Sequence, residues 1–261
     1  MEAIIRLSAF VGFLVLMILW EIYAPRRQLL YSRWQRWGIN FSLSILGLLL
    51  VRFTIGAAAY IAAIAATDNN IGLLNQFDLP HWLSIGISLL LLDLAIYGQH
   101  VASHQWKWLW RLHKVHHTDL DFDVTTAIRF HPVEILISMI YKVFIIYIIG
   151  VNAVAVIAFE VILSSTALFN HGNVLLPKKW DFRIRKLIVT PDMNRIHHSV
   201  IPTETDSNYG FSLSIWDRLF GTYTEEPKCG HQVMTIGLAD YRHGYDVDLK
   251  ALITMPFRSK K

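Results

Sequence analysis

The sequence predicts an all-α integral membrane protein: a helical bundle of about four to five spans with a cytoplasmic histidine-rich cap. Of its 261 residues, 54% are hydrophobic, above the roughly 45–50% of an ordinary soluble domain. The apolar residues gather in runs that approach the ~20 residues needed to cross a bilayer as helix. Histidines collect beside those runs in three groups, His100/His104, His113/His116/His117 and His197/His198.

In chain order, residues 4–23 form the first span. No small-residue cleavage site precedes Glu21 and Tyr23, so this stretch is expected to be a retained anchor and not a removed signal peptide. A second span is expected from about Ile39 to Ala66, long enough to cross with tilt, with Arg52 inside it obliged to snorkel or find a partner. The third runs from about Trp82 to Tyr97 and leads directly into His100 and His104. Residues 133–169 are apolar for long enough to cross twice around a Gly150-Val151-Asn152 turn. Each leg is short, so a shallow re-entrant hairpin stays open, and Glu160 is a polar intruder there. Tyr97, Trp106, Trp108 and Trp110 have the spacing of an interfacial aromatic belt. From 171 onward the chain is polar and aromatic, with turn formers at Pro191, Pro202, Gly210, Gly221, Pro227 and Gly230, and reads as a cap on the helix ends.

Loop charge sets the expected orientation. Arg26, Arg27, Arg33 and Arg36 lie between the first two spans, whereas residues 67–81 contain no lysine or arginine. The first loop should therefore be cytoplasmic. Counting crossings then brings 99–132 and 171–261 to the same side, so all three histidine groups can share one site. The chain is expected to be a single membrane domain, 1–261, with anchoring helices in 1–78, a histidine-bearing core in 79–225 and a cytoplasmic C-terminal tail in 226–261.

Composition excludes several classes. The net charge of +4 comes from basic residues scattered around apolar spans, which argues against a nucleic-acid partner. A single cysteine, Cys229, rules out an intrachain disulfide and any multi-cysteine metal site. A metal must be held by nitrogen and oxygen.

Residues three or four apart share a helix face, so His100 and His104 aim two imidazoles at one point and His113/His116/His117 aim three. Asn194/His197/His198 repeats that triad with asparagine in the first place. Structural zinc takes four ligands and catalytic zinc about three, so this supply fits two metals sharing eight or so ligands. His171, in Phe169-Asn170-His171-Gly172-Asn173, is a further candidate ligand. His131, just before Pro132, is expected either to support a ligand or to cap a helix, and His81, His231 and His243 to be hydrogen-bonded core residues. Asp119, Asp121, Asp123, Glu134, Asp192 and Asp217 are near enough in sequence to orient imidazoles. Asp93, two helical turns before His100, is the favoured candidate for that role.

The order HxxxH, HxxHH, single histidine, xxxHH resembles the fatty acid hydroxylase / sterol desaturase superfamily over roughly residues 80–225. Thr190-Pro191-Asp192-Met193-Asn194-Arg195-Ile196-His197-His198-Ser199 carries the likeness, with Asn208-Tyr209-Gly210-Phe211, Trp216-Asp217-Arg218-Leu219-Phe220-Gly221-Thr222-Tyr223 and Arg129-Phe130-His131-Pro132-Val133-Glu134. The resemblance implies a membrane enzyme with two iron ions as cofactor and O2 as co-substrate, hydroxylating a C–H bond of a membrane lipid or, alternatively, desaturating it. It implies His100, His104, His113, His116, His117, His171, His197 and His198 as ligands. Asn194 departs from the family's usual histidine and is expected to ligate weakly or from behind; a lapsed lipid-binding scaffold is the non-enzymatic alternative. A di-zinc hydrolase is disfavoured because HExxH and HxxEH motifs are absent. Electrons would come from a separate electron-transfer protein.

Overall fold

The computed structural model describes residues 2–243 and 247–258; within the expected C-terminal tail, 244–246 and 259–261 lie outside the described residues. The described residues are helical and contain no β-strand. Helices α1 (Glu2–Tyr23), α2 (Arg33–Thr54), α4 (His81–Gln105), α6 (Pro132–Ile149) and α7 (Ala153–Asn170) are each long and apolar enough to cross a membrane. The all-helical, five-span bundle matches the expected fold class, and five apolar helices of this kind make the chain a multi-pass membrane protein.

The second expected span divides. Helix α2 stops at Thr54, the chain turns at Gly56 in a left-handed conformation (φ +57°), and α3 (Ala58–Asp68) follows. At 1.5 Å per residue, the 11 residues of α3 reach about 16 Å, roughly half a bilayer core. Its alanines Ala59, Ala62, Ala63 and Ala66 are buried against α6 and α7. Arg52 sits exposed in the last turn of α2.

Chain ends define two faces. At one, the loop after α3 meets the α6–α7 turn so closely that a Cβ on Gly72 would lie 2.2 Å from the Gly150 nitrogen; both glycines have positive φ. Gly150 ends α6 in the left-handed conformation and Asn152 caps α7 through Ala155 N–H, as the turn in the sequence demands. At the other face, residues 24–32 lie against 173–175, with Arg26 N–H bonded to Asn173 C=O and Leu175 N–H to Ala24 C=O. This second face carries α5 (Lys107–His117), α8 (Lys178–Ile184), α9 (Pro191–His197), α10 (Pro202–Thr205), α11 (Ile215–Leu219) and α12 (Leu249–Thr254).

Buried polar side chains bind cap to bundle. From α2, Arg36 reaches both Asp119 and Asp123, at 2.7 and 2.5 Å, while Asn40 accepts from Arg129 and donates to Thr125. Burial alone would raise the Asp119 pKa, but Arg36 and Arg129 overcome it and hold that carboxyl well below its ordinary range. Between spanning helices, Glu160 on α7 pairs with Arg6 on α1 and Lys142 on α6, which resolves the polar intruder. The four aromatics of the expected belt do not share one environment. Trp106 and Trp108 are exposed, but Tyr97 is buried with its hydroxyl on Thr222, and Trp110 packs against histidines. His81 and His243 are likewise exposed, contrary to their expected core roles; only His231 is buried.

Candidate metal centre

All eight histidines expected as ligands converge at the cap end of α4. His100, His104, His113, His117 and His197 form one group and His116, His171 and His198 a second; within each, one ring nitrogen per residue lies within 4.8 Å of the others. The i, i+3, i+4 spacing on α5 divides its triad between the groups, His113 and His117 to the first and His116 to the second. His197 and His198 are divided in the same way by the end of α9, where His198 is already the capping residue.

Second partners fix the direction of the rings. The Nδ1–H of His100 donates to Tyr209 C=O (2.8 Å), that of His197 to Ser207 C=O (2.7 Å), that of His116 to Arg129 C=O (3.2 Å) and that of His171 to Ala167 C=O (2.8 Å). His113 Nδ1 lies 2.6 Å from Glu134 and His104 Nδ1 3.1 Å from Asp206. A nitrogen facing an oxygen acceptor must carry the proton, so these six rings present an Nε2 lone pair inward. Asn208 arranges two of the acceptors. It adopts a left-handed conformation (φ +52°), which asparagine tolerates, and its side chain bonds Met193 C=O, Thr224 C=O and Thr224 N–H. The flanking carbonyls of Ser207 and Tyr209 thereby both point at the centre.

The arrangement is incomplete without a cation. His116 and His171 face each other at 3.2 Å through Nε2, and so do His100 and His197 at 3.1 Å. Each of these nitrogens bears a lone pair, so each contact is repulsive unless a positive ion lies between. His104 Nε2, His117 Nδ1 and both nitrogens of His198 are buried without hydrogen-bond partners, as unligated donors would be. Burial pulls His171 down to about pKa 4 and His197 to about 3. It also holds His116, His117 and His198 far below the usual imidazole value, helped by neighbouring histidines. At neutral pH these rings are uncharged, the form that binds metal. An all-nitrogen donor set of this kind suits iron, zinc, copper and nickel alike among the first-row metals.

Other expected site residues lie around the groups. Asn194 donates from Nδ2 to Asn170, the neighbour of His171, at 3.1 Å. His131 caps α6 by accepting from Val133 N–H and donates to Ile253 C=O, so of its two expected roles it takes the capping one. Asp93 corrects an expectation: its carboxylate accepts from Trp216 Nε1 (2.8 Å) and Leu213 N–H (3.2 Å), and no histidine bonds it among the described residues. Of the six loop and helix-end acids, only Glu134 bonds an imidazole directly. Asp119 and Asp123 serve Arg36, Asp121 binds the Leu30 and Tyr31 amides, Asp192 pairs with Arg26 and Arg195, and Asp217 holds Gly210 N–H and Thr222. Asp206 was missed, because its partner His104 lies 102 positions away and no local spacing links them.

The fatty acid hydroxylase family model matches residues 85–222, more than half of the chain and the whole histidine centre. The chain belongs to the fatty acid hydroxylase family. This fatty acid hydroxylase family member is 28% identical to an ornithine lipid hydroxylase of Rhizobium tropici over 152 residues, 57% of this chain and 44% of that protein. It is 31% identical to an alkylglycerol monooxygenase of Xenopus tropicalis over 141 residues, 54% of this chain and 30% of that protein. An alkylglycerol monooxygenase of Caenorhabditis elegans matches over 200 residues at 27%, covering 73% of this chain and 37% of that protein. The chain thus spans less than half the length of these relatives. No solved structure matches it.

Proposed function

We propose that this protein is an oxygen-dependent di-iron hydroxylase acting on a C–H bond of a membrane lipid, with its centre on the cytoplasmic side. The observation that carries the reading is the pair of histidine groups, five and three, with six of the eight rings held by hydrogen bonds on the opposite ring nitrogen. His100, His104, His113, His117 and His197 would hold one iron, and His116, His171 and His198 the other. With three imidazoles and Asn194 nearby, the second is the weaker site. Bound there, the two irons would supply the reductive activation of dioxygen needed to break an unactivated C–H bond.

The chain's own residues provide the setting. Glu134 and Asp206 hold the protonated Nδ1 of His113 and His104, and backbone carbonyls fix four further rings. Phe130 stacks on His116 at 4.3 Å, and Phe122 on His171 at 5.6 Å, excluding water from the second group. Overall, one lipid C–H, one O2, two electrons and two protons give one C–OH and one water. The electrons come from a separate reduced electron-transfer protein. The relatives' hydroxylase and monooxygenase names support this reaction type.

The test is metal content with lipid analysis. The purified chain reconstituted with ferrous iron should hold two irons, one released first by a chelator, and cells expressing it should accumulate lipids heavier by one oxygen. His116→Ala should lose the weaker iron and the oxygenated lipid together while still inserting in the membrane. Retained iron and product in that variant, or no iron in the wild type, would defeat the proposal; the latter favours a lapsed scaffold, for which Asn194 speaks.

A further inference from the structure

Helix α1 turns one narrow face inward. Its buried residues are Leu14, Met17 and Glu21, spaced i, i+3, i+7 so that they form a single stripe, while Leu7, Val11, Val15, Leu19 and Ile22 are exposed. Leu14 and Met17 join Val124, Ala127, Ala167, Leu168 and Val174 in one apolar cluster. Glu21 ends the stripe with a carboxylate that is only 1% exposed, where helical periodicity calls for an apolar side chain. A buried carboxylate is costly unless it is partnered.

Its partners lie far away in sequence. Glu21 Oε1 accepts two backbone N–H groups, from Val124 at 2.7 Å and from Asn173 at 2.6 Å. Val124 opens the 3₁₀ turn Val124–Ile128, and the first amides of such a turn have no partner within it. Asn173 follows the end of α7 by three residues. Both amides stand two residues from the wall of the three-histidine group. Phe122 stacks on His171 at 5.6 Å and packs on His198 at 5.2 Å, and His171 precedes Asn173. One oxygen therefore clamps the chain on both sides of the Phe122–His171 stack.

The loop after α1 extends the clamp. Asn173 C=O accepts from Arg26 N–H, the Asn173 side chain bonds Arg27 N–H and Arg27 C=O, and Leu175 N–H donates to Ala24 C=O. At Gly172, next to His171, a Cβ would lie 2.5 Å from Met17 Cε, so glycine there admits the α1 side chain. None of the eight histidines, and none of the groups that hold their Nδ1 atoms, lies in α1. Among the described residues, the hydrogen bonds that α1 makes to other elements go to α7, Val124 and Asn173, and none goes to a residue of the five-histidine group.

We propose that Glu21 is a positioning residue for the three-histidine group: by holding the amides of Val124 and Asn173 on one oxygen, it fixes Phe122 and His171 and so sets the weaker metal site from a helix that carries none of its ligands. This role deepens the hydroxylase reading and rests on it for the identity of the metal.

The experiment compares the full-length wild type, Glu21→Gln and Glu21→Met in lipid nanodiscs. Glutamine keeps a carbonyl oxygen with two lone pairs, whereas methionine fills the space without a comparable acceptor. After loading with isotopically enriched ferrous iron, Glu21→Met should release the more labile iron to a chelator at least about tenfold faster than wild type. Its Mössbauer spectrum should lose one ferrous component and keep the other, and Glu21→Gln should match wild type in both readouts. In metal-free samples, the Val124 and Asn173 amides should exchange hydrogen at least about tenfold faster in Glu21→Met, as expected for lost hydrogen bonds, and near the wild-type rate in Glu21→Gln. Glu21→Asp keeps the charge but is one methylene too short, so it should show the same selective loss and serves if the methionine variant does not insert. Unchanged iron release and exchange without the acceptor would overturn the proposal. So would equal loss of both irons, the mark of a general loosening, or a glutamine variant that behaves like methionine. A wild type that binds no iron would defeat the di-iron reading alone, and the exchange rates of the metal-free chain would still decide whether Glu21 holds the clamp.

Discussion

His113 shows how much one proton decides. With Glu134 at 2.6 Å its Nδ1 must carry the hydrogen, so Nε2 is free to ligate. Glu134→Gln keeps the shape and removes the charge, and should weaken metal affinity by about tenfold, the lower end for such supporting partners; chelator competition reads this directly. Acid acts on the same rings. His171 and His197 have folded pKa values near 4 and 3, against roughly 6.5 unfolded. Between those limits the unfolded chain binds protons that the folded chain does not, so the metal-free protein should lose stability progressively as pH falls below about 6.5. Thermal unfolding of the apo protein in detergent at pH 7.5, 6 and 5 checks the sign, and an unchanged midpoint would show that the rings are not buried neutral. These residues were legible in sequence because i, i+3, i+4 spacing is local. Asp206 and the Ser207 and Tyr209 carbonyls were not, since nothing local ties them to His104, His197 or His100.

Helices and turns followed from the sequence where hydrophobic length and punctuation agreed. Gly150 and Asn152 end one helix and begin the next as their types require. The division of α2 from α3 was hidden, because an unbroken apolar run carries no sign of a break at Gly56. Asp93 was misassigned for a related reason. Helical spacing puts it two turns from His100, but the chain returning at 213–216 reaches it first, from another element. Ion pairing between spans gives a test at this scale. Glu160→Leu leaves Arg6 and Lys142 without their shared partner and should cost about 3 kcal/mol. Thermal unfolding in detergent measures it. Replacing all three by apolar residues should recover most of that loss, because desolvation of the charges is then avoided as well.

Across the whole molecule, the five spans bring 24–32, 106–131 and the described residues after 170 to one face, while residues 69–80, at the other, contain no lysine or arginine. By the positive-inside tendency, the orientation we propose has the histidine face in the cytoplasm. Cys229 is exposed on that face, so a membrane-impermeant maleimide should label it in inverted vesicles and not in intact cells; a cysteine introduced at Asn70 should show the reverse. The opposite pattern would turn the molecule over. Sequence alone determined the class, the helical content, the family resemblance and the identity of the eight converging histidines, because hydrophobic length and helical periodicity are properties of neighbouring residues. Tertiary structure decided how those rings divide into five and three and which acids and carbonyls set their protons. Each of these depends on pairs far apart in the chain, and only packing brings such pairs within hydrogen-bond range.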